Sequence, residues 1–312
     1  MTEQPTRVVV AVLTYKRPED LAAVLPQLAE QAQRVPQGFV ADVLVIDNDP
    51  AGGAREQVES FASGAAVPVS YEHESEPGIS AARNRALDAS PDRRLLVYID
   101  DDERPSDDWL RLLLETWVGH AAAAVVGPVV STFAVEPPAF VTAGRFFDRR
   151  RLPTGTKVTV AATNNLLLDL DLVRAAGLRF DTTLGTVGGS DTLFTRALVR
   201  AGGRMVWCDE AVVVDVVPEE RTTTSWNLRR ALRSGNSWSV TALRLEQGGP
   251  VQRAKLLGRG AVRVGGGAAR AAWGVVSRDE GHRARGVRSV ARGTGMVMGA
   301  TGLLYREYKR KG

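Results

Sequence analysis

Leu95-Leu96-Val97-Tyr98-Ile99 is an apolar run that stops abruptly at Asp100-Asp101-Asp102-Glu103. Val97, Tyr98 and Ile99 favour β structure, so the run reads as a buried strand. Carboxylates crowded at the end of such a strand repel one another unless a cation is shared, and oxygen-only ligands suit Mg²⁺ or Mn²⁺. If the chain stays extended, Asp100 and Asp102 point one way and Asp101 the other. That makes Asp102, helped by Asp100, the expected metal ligand. The same acids would also serve as a turn before a helix, with Ser106 or Asp107 capping the segment that starts at Asp108.

The residues before this strand repeat one pattern. Arg7 to Leu13 (RVVVAVL) is a continuous β-branched run, as in a strand buried on both faces. Pro18 suits a first helical turn, and Leu21, Val24, Leu25 and Leu28 recur at helical spacing, with Pro26 expected to kink the helix. Ala41 to Ile46 and Val67 to Tyr71 read as further strands, and a helix is expected from about Ser80 to Ala89 after Pro77-Gly78. Strand and helix alternating over the first third of the chain imply right-handed crossovers and a mainly parallel sheet.

Ligands of such sheets bind beyond the carboxyl ends of the strands. Thr14 and Tyr15, Asp47, and Asp100 to Asp102 are delivered there. Neither G-x-G-x-x-G after the first strand nor G-x-x-x-x-G-K-[ST] is present, which excludes the dinucleotide fingerprint and the P-loop. Asp47 has the chemistry to accept from a base N–H or ribose hydroxyl, and the Tyr15 ring to stack on a base. Each is equally at home as a strand-end residue with no ligand.

Six segments taken together resemble family 2 glycosyltransferases of the GT-A fold. They are Thr14-Tyr15-Lys16-Arg17-Pro18; Val45-Ile46-Asp47-Asn48; Pro77-Gly78 with Ala82-Arg83-Asn84; Tyr98 to Glu103 with Trp109-Leu110; Thr163-Asn164-Asn165; and Gly188-Gly189-Ser190-Asp191. The resemblance spans roughly residues 7 to 235 in family order. It implies a nucleotide-diphospho-sugar donor, a divalent metal (Mn or Mg) at the aspartates, and inversion at the anomeric carbon. It also implies that Asp47 contacts the nucleoside with Arg83 beside it, while Asp102 holds the metal against the diphosphate. Thr14, Tyr15, Arg17, Asp100 and Asp101 complete the expected nucleotide site.

The chemistry asks for such residues. Breaking a sugar–diphosphate bond puts negative charge on the leaving oxygens, which a cation stabilises. A hydroxyl nucleophile needs a carboxylate to take its proton. Asp191, in the first turn of a helix carrying Leu193, Phe194, Ala197 and Leu198 on one face, is held ionised by the helix dipole and is the expected base; a plain capping role is the alternative. Relatives mostly carry Glu where this chain has Ser190. Asn164 and Asn165, inside an apolar run from Val158 to Leu168 read as a strand, are expected at the acceptor with Gly189 and Ser190, with an ordinary polar edge as the alternative for the two amides. Pro137 to Thr156, without periodicity, is read either as a cover over the acceptor or as a loosely packed stretch. Strands are also expected at Gly127 to Val130, Arg204 to Cys208 and Ala211 to Val217, and a short helix at Asp169 to Ala176. Relatives often place a metal-binding His near the end of the last strand, where Asp215 is the candidate ligand here.

Pro218 marks the expected boundary between a catalytic domain, 1–218, and a helical appendage, 219–312, with glycine breaks at Gly248-Gly249 and Gly265-Gly266-Gly267. From Arg221 onward there are 19 Lys and Arg against 4 Asp and Glu, a balance of +15, while residues 1–220 hold 21 against 32, or −11. Such a tail seeks an anionic surface, lipid headgroups or nucleic acid, unless it is only a solvated face. With a saccharide or lipid-linked acceptor the membrane is the expected surface and nucleic acid is not. The longest late uncharged run, Gly293 to Tyr305, is 13 residues, short of the roughly 20 that span a bilayer. Neither a signal peptide nor a spanning helix is expected, and the chain is read as cytoplasmic, peripheral at the inner face of the cell membrane. Cys208 alone makes no disulfide or cysteine zinc site and is expected in the core. His73, His120 and His282 have no metal spacing. A non-catalytic binding protein on the same scaffold has no reason to keep both Asp102 and Asp191. A sugar-phosphate nucleotidyltransferase would carry a glycine-rich basic loop in place of Thr14 to Pro18.

Overall fold

A computed structural model describes residues 4–185, 188–246 and 248–305. Thr186 and Val187 at the head of the glycine turn, and the basic end beyond Tyr305, lie outside the described residues. The chain forms two compact units, each interrupted in sequence.

The first unit comprises Met1–Val130, Arg149–Thr182 and Phe194–Asp215. It opens with β1 (Thr6–Thr14), α1 (Pro18–Gln33), β2 (Phe39–Asp47), α2 (Arg55–Ala62), β3 (Val69–His73), α3 (Ile79–Asp88), β4 (Leu95–Asp100), β5 (Glu103–Pro105), α4 (Trp109–His120) and β6 (Ala124–Val126). Then β7 (Val129–Phe133) and α5 (Ala139–Ala143) lead out of it, and β8 (Asn165–Asp169), α6 (Leu170–Ala175), the end of α7 (Ser190–Arg200), β9 (Met205–Trp207) and β10 (Val213–Val217) return to it. Seven strands form one sheet in the order β3-β2-β1-β4-β8-β6-β9. Pairing is parallel from β3 through β2 and β1 to β4 and between β6 and β9, while β8 runs antiparallel to β4 and β6. The mainly parallel mixed sheet agrees with the expected fold class.

Both faces of the sheet are covered, which is why its strands read as unbroken apolar runs. Val8, Val10, Val12, Val43, Val45, Val97 and Ile99 pack with Leu21, Leu25 and Leu28 of α1 and Trp109, Leu110, Leu113 and Leu114 of α4. The alternating residues Val9, Ala11, Leu13, Leu44, Ile46, Leu96 and Tyr98 pack with Ala82 and Ala86 of α3 and with Phe180, Phe194 and Leu198. Each buried leucine contributes about 1.5–3 kcal/mol of transfer free energy. Cys208 lies in the first of these clusters, as expected.

Several local expectations need correction. Helix α1 runs through Pro26 to Gln33. Neither Ser106 nor Asp107 caps α4; Gln31 does it from a distance, its Oε1 accepting from Leu110 N at 3.0 Å and its Nε2 donating to Asp107 O at 2.7 Å. The strand expected from Val158 starts only at Asn165, and β6 lies ahead of the expected strand near Gly127. In the smaller sheet, ordered β5-β10-β7, β5 pairs antiparallel with β10 and sets Glu103 opposite Asp215.

The second unit comprises Ser131–Asp148, Thr183–Leu193 and Val216–Gly312. Besides α5 it holds α8 (Glu219–Thr222), α9 (Thr224–Leu245), α10 (Pro250–Val276) and α11 (Glu280–Thr301). A single cut at residue 218 therefore misses two insertions. Phe140, Val141, Phe146 and Phe147 form an apolar cluster with Leu228 and Ala284, and Leu184 and Leu193 pack on Val240. Gly248-Gly249 does separate α9 from α10, but α10 continues through Gly265-Gly266-Gly267. Among the described residues no helix is long and apolar enough to cross a membrane.

Candidate functional site

The register of the parallel strands brings the polar residues to one level. Thr14 stands beside Asp47, and Leu13 beside Asp100. Beyond Asp100 the chain turns instead of staying extended, so Asp101 and Asp102 converge rather than alternate. Both carboxylates meet Arg17: its NH1 lies 2.8 Å from Asp101 Oδ1 and 2.8 Å from Asp102 Oδ2. Thr14 Oγ1 donates to the other Asp101 oxygen at 2.8 Å. Burial alone would lower the Arg17 pKa, but the two aspartates outweigh it and raise it. The side chain of Asp101 is 4% exposed and that of Asp102 is 18%, so Asp102 is the more open of the pair.

Asp100 is pushed up to about 7, first by burial and then by Asp102 and Asp101, against the opposing charge of Arg83. Glu103 was not singled out by sequence, yet it is buried and raised well above the ordinary carboxylate range, by burial first and Asp100 second. Asn164 Nδ2 donates to Glu103 Oε1 at 2.5 Å, and Asp100 N to Glu103 Oε2 at 3.2 Å. Asn164 thus joins this acidic cluster.

On the β2 side Asp47 shapes the loop that follows it. Its Oδ1 accepts from Asp49 N at 2.8 Å, and its Oδ2 from Ala54 N at 2.9 Å and Tyr71 OH at 3.1 Å. At 1% exposure it is not the open nucleoside acceptor expected. The Tyr71 hydroxyl is pushed up to about 12 by burial and by Asp47. Asn48 pins the next loop, donating to Glu74 O and Glu76 O and accepting from Gly78 N at 2.9 Å. Gly78, at φ 132°, allows the sharp entry into α3. Tyr15 is 38% exposed at the end of β1 with Lys16 Nζ 5.5 Å from its ring centre.

Arg83 is positioned from two sides. Tyr98 OH donates to its carbonyl oxygen at 2.7 Å, and its guanidinium lies 5.5 Å from the Phe180 ring centre. Its neighbour Asn84 exchanges two hydrogen bonds of 2.9 Å with the Phe180 backbone. The Ala82-Arg83-Asn84 segment therefore docks α3 on the Phe180 loop as well as presenting a cation.

Several residues expected at the metal and the acceptor are engaged within the fold. Asn165 is 1% exposed, and its amide is consumed within the fold, accepting from Trp109 Nε1 and donating to Pro128 O and Ala211 O. It has no face for an acceptor. Asp215 is paired with Arg149, a residue of the aperiodic stretch, at 2.8 Å, much as Asp102 is with Arg17. In the second unit, Gly189 (φ 96°) takes a conformation suited to glycine, and a Cβ there would lie 2.9 Å from Thr241 Cγ2. Ser190, 2% exposed, is buried beside it. Both shape the turn into α7, Gly189 half-buried and Ser190 buried. Asp191 follows in the first turn of α7, its Oδ1 accepting from Thr192 N at 2.7 Å.

Among the described residues no group of three or more His, Cys, Asp or Glu side chains is arranged to hold a metal by itself. The donor chemistry still suits a hard cation. Mg²⁺ is typically held by one or two carboxylates, with phosphate and water oxygens supplying the rest. Asp102 already attracts a positive group, the Arg17 guanidinium.

The chain as a whole is similar to known proteins. Residues 9–174 match the family described as Glycosyl transferase family 2. The chain is 37% identical over 237 residues to the succinoglycan biosynthesis protein ExoM of Rhizobium meliloti (strain 1021), covering 76% of this chain and 75% of that protein. Among solved structures it is similar to the mannosyltransferase PcManGT of Pyrobaculum calidifontis in complex with GDP-Man and Mn²⁺, with TM-score 0.60 and 18% identity over 93% of this chain and 86% of that one. It is also similar to S. aureus TarS 1–349 in complex with UDP-GlcNAc, with TM-score 0.53 and 14% identity over 91% of each chain.

Proposed function

The chain belongs to glycosyltransferase family 2 and has the GT-A fold, and from that premise we propose that it transfers a sugar from a nucleotide-diphospho-sugar, with inversion, to an acceptor hydroxyl in polysaccharide biosynthesis. The observation that carries the reading is the cluster of Thr14, Arg17, Asp101 and Asp102 at the carboxyl ends of parallel strands. The ExoM relative, named for succinoglycan biosynthesis, supports a polysaccharide product.

In this reading the donor diphosphate lies against the aspartate cluster, where Asp102, with Asp100 beside it, would hold a divalent cation. When bound, Mn²⁺ or Mg²⁺ supplies charge stabilisation to the leaving diphosphate. Arg17 would add a donor to the phosphate oxygens, while Asp101, fixed by Thr14, keeps the turn in shape. Tyr15 offers a face to the base, and Arg83 a cation near the nucleotide. Asp191 takes the proton from the acceptor hydroxyl as that oxygen attacks the anomeric carbon, and the sugar–phosphate bond breaks toward the diphosphate. Buried Glu103 orients Asn164 at the edge of the cluster. The basic segment after Arg221 holds the enzyme at the anionic inner face of the cell membrane, near a saccharide or lipid-linked acceptor.

Calorimetry with UDP and with GDP tests the donor site. Strong binding of one of them with Mn²⁺, loss with chelator, and the same loss in Asp102→Asn are the expected results. Equal affinity in all three conditions would remove the metal assignment. Product release from a panel of nucleotide sugars then identifies the donor.

A further inference from the structure

Helix α10 has two unlike sides. Its inward residues Leu256, Gly260, Gly267 and Gly274 are buried, and they bring backbones together instead of interleaving side chains. A Cβ on Gly267 would lie 2.9 Å from the Gly286 carbonyl oxygen, and one on Gly274 2.2 Å from Arg283 N. On the outward side Val251, Val262, Trp273 and Val276 are 68, 76, 60 and 76% exposed. Positions 251, 258, 262, 265, 269, 273 and 276 advance by three, four or seven residues and so share one helix face, which also carries Lys255 near its start and no charge after it.

Lys255, Arg259 and Arg263, all exposed, follow one another at intervals of four along one edge of that face. Against Arg263, α11 sets Arg288 and Arg292. Burial, and then the charge of Arg263, hold the Arg292 guanidinium below its ordinary value, and Arg288 is lowered by the same two causes against the pull of Asp148. The Arg292 Nε is buried without a hydrogen-bond partner. Such a group of like charges is eased by an outside anion.

The two features together select the occupant. A second copy of the chain would bring the same cationic edge and be repelled. Nucleic acid would match the arginines but not the Val, Ala and Trp face beside them. An anionic bilayer matches both, since an amphipathic helix lies with its apolar side at the acyl boundary and its basic side among the phosphates, and tryptophan favours that boundary.

We propose that α10 lies in the plane of an anionic membrane, with Val251, Val262, Trp273 and Val276 immersed at the headgroup–acyl boundary and Arg259, Arg263 and Arg292 on lipid phosphates. This rests on the membrane reading above and deepens it, because charge attraction alone would leave the helix above the headgroups.

The test uses the full chain with phosphatidylcholine vesicles that contain or lack phosphatidylglycerol, their acyl chains brominated to quench nearby tryptophan. The wild type should bind the anionic vesicles and lose fluorescence, and Trp273→Phe should abolish most of that loss. Val262→Asp with Val276→Asp should weaken binding about tenfold or more, and Arg263→Gln with Arg292→Gln should weaken it on anionic vesicles and lower its salt sensitivity. Unchanged calorimetric affinity in each variant for whichever of UDP and GDP the wild type binds, with an unchanged melting temperature, shows an intact fold and keeps the transferase reading separate. Binding without quenching, unaffected by the two aspartates, would overturn immersion while leaving electrostatic attachment. No binding by the wild type would overturn both. A lipid-free dimer abolished by the aspartates, or RNA that displaces the vesicles, would assign the face to another partner and also overturn the proposal.

Discussion

Replacing Asn165 by alanine separates a structural amide from an acceptor contact. In the native chain the Asn165 amide answers Trp109 Nε1 at 2.9 Å, Pro128 O at 2.9 Å and Ala211 O at 2.8 Å. Pro128 O keeps a second donor, Val213 N, so it is not orphaned by the truncation. The indole N–H and the Ala211 carbonyl lose this partner in the interior, each at about 1–3 kcal/mol. With a small void added, the loss is about 3–5 kcal/mol. At roughly 2–4 °C per kcal/mol, the scaling for proteins of 150–250 residues, the melting temperature should fall by about 6–20 °C. Asn165→Asp should be worse, since a carboxylate oxygen would face the two carbonyls where the amide donated. Thermal unfolding by circular dichroism gives the shift, and steady-state transfer measured well below both transitions gives the catalytic effect. A melting point within about 2 °C of wild type, joined to a large loss of transfer, would refute the structural role and return Asn165 to the acceptor.

Asp191→Asn keeps the helical turn and should lower transfer by about 10²- to 10⁴-fold, the usual contribution of a positioned base; calorimetric donor affinity should stay near wild type, and a near-normal rate would make Asp191 a helix residue only. Gly235→Ala should prevent stable packing of α9 on α11, because its Cβ would sit 1.9 Å from Arg292 O, whereas Gly258→Ala, with open space around it, should raise stability by about 0.5–1 kcal/mol. Equal melting temperatures for the two would show that the helices do not approach as described. Asp88 and Asp209 are lowered chiefly by hydrogen bonds from Arg179 and Arg151. Their stabilisation is therefore present above the unfolded value, about 3.9, and lost as pH falls through the lower folded values. Asp88→Asn with Asp209→Asn should flatten the decline of melting temperature below about pH 4, and an unchanged slope would count against both pairs.

The sheet was legible because both of its faces are covered. Arg7 to Leu13 and Leu95 to Ile99 carry apolar residues at every position, and only a strand buried twice needs that. The polar ends of the strands were legible where such runs stop, as at Thr14 and Asp100. Local spacing did not say which way those side chains turn. Alternation failed at Asp101 and Asp102 because the chain bends after Asp100, and Arg17, distant in sequence, draws both carboxylates together. Glu103 looked like one more acid in a solvated turn. Its burial depends on pairing with β10 about a hundred residues later, which periodicity cannot register. Asn165 was misread for a similar reason: an amide in an apolar run suits a sugar or three buried backbone and indole partners equally well, and only the tertiary fold supplies the partners.

The helical unit shows the opposite failure, a local rule that gave the wrong sign. Glycine costs a helix about 1 kcal/mol relative to alanine, so Gly265-Gly266-Gly267 reads as an interruption. Yet α10 runs unbroken through it. The three residues do not act alike: a Cβ at Gly265 or Gly266 would meet nothing within 4 Å, while one at Gly267 would press on Val290 N at 2.8 Å and Gly286 O at 2.9 Å. The helix tolerates the glycines on its outward side and requires the one on its inward side. Contacts of the same kind recur at Gly235 against Arg292, Gly293 against Gly260 and Gly295 against Leu232, so α9, α10 and α11 are held by backbone approach where other bundles interleave leucines. Packing of that kind buries few large side chains. The valines, alanines and Trp273 of α10 are then left facing outward, and the lack of bulky residues that made this segment look broken in sequence is what frees a whole helix face for a surface outside the chain.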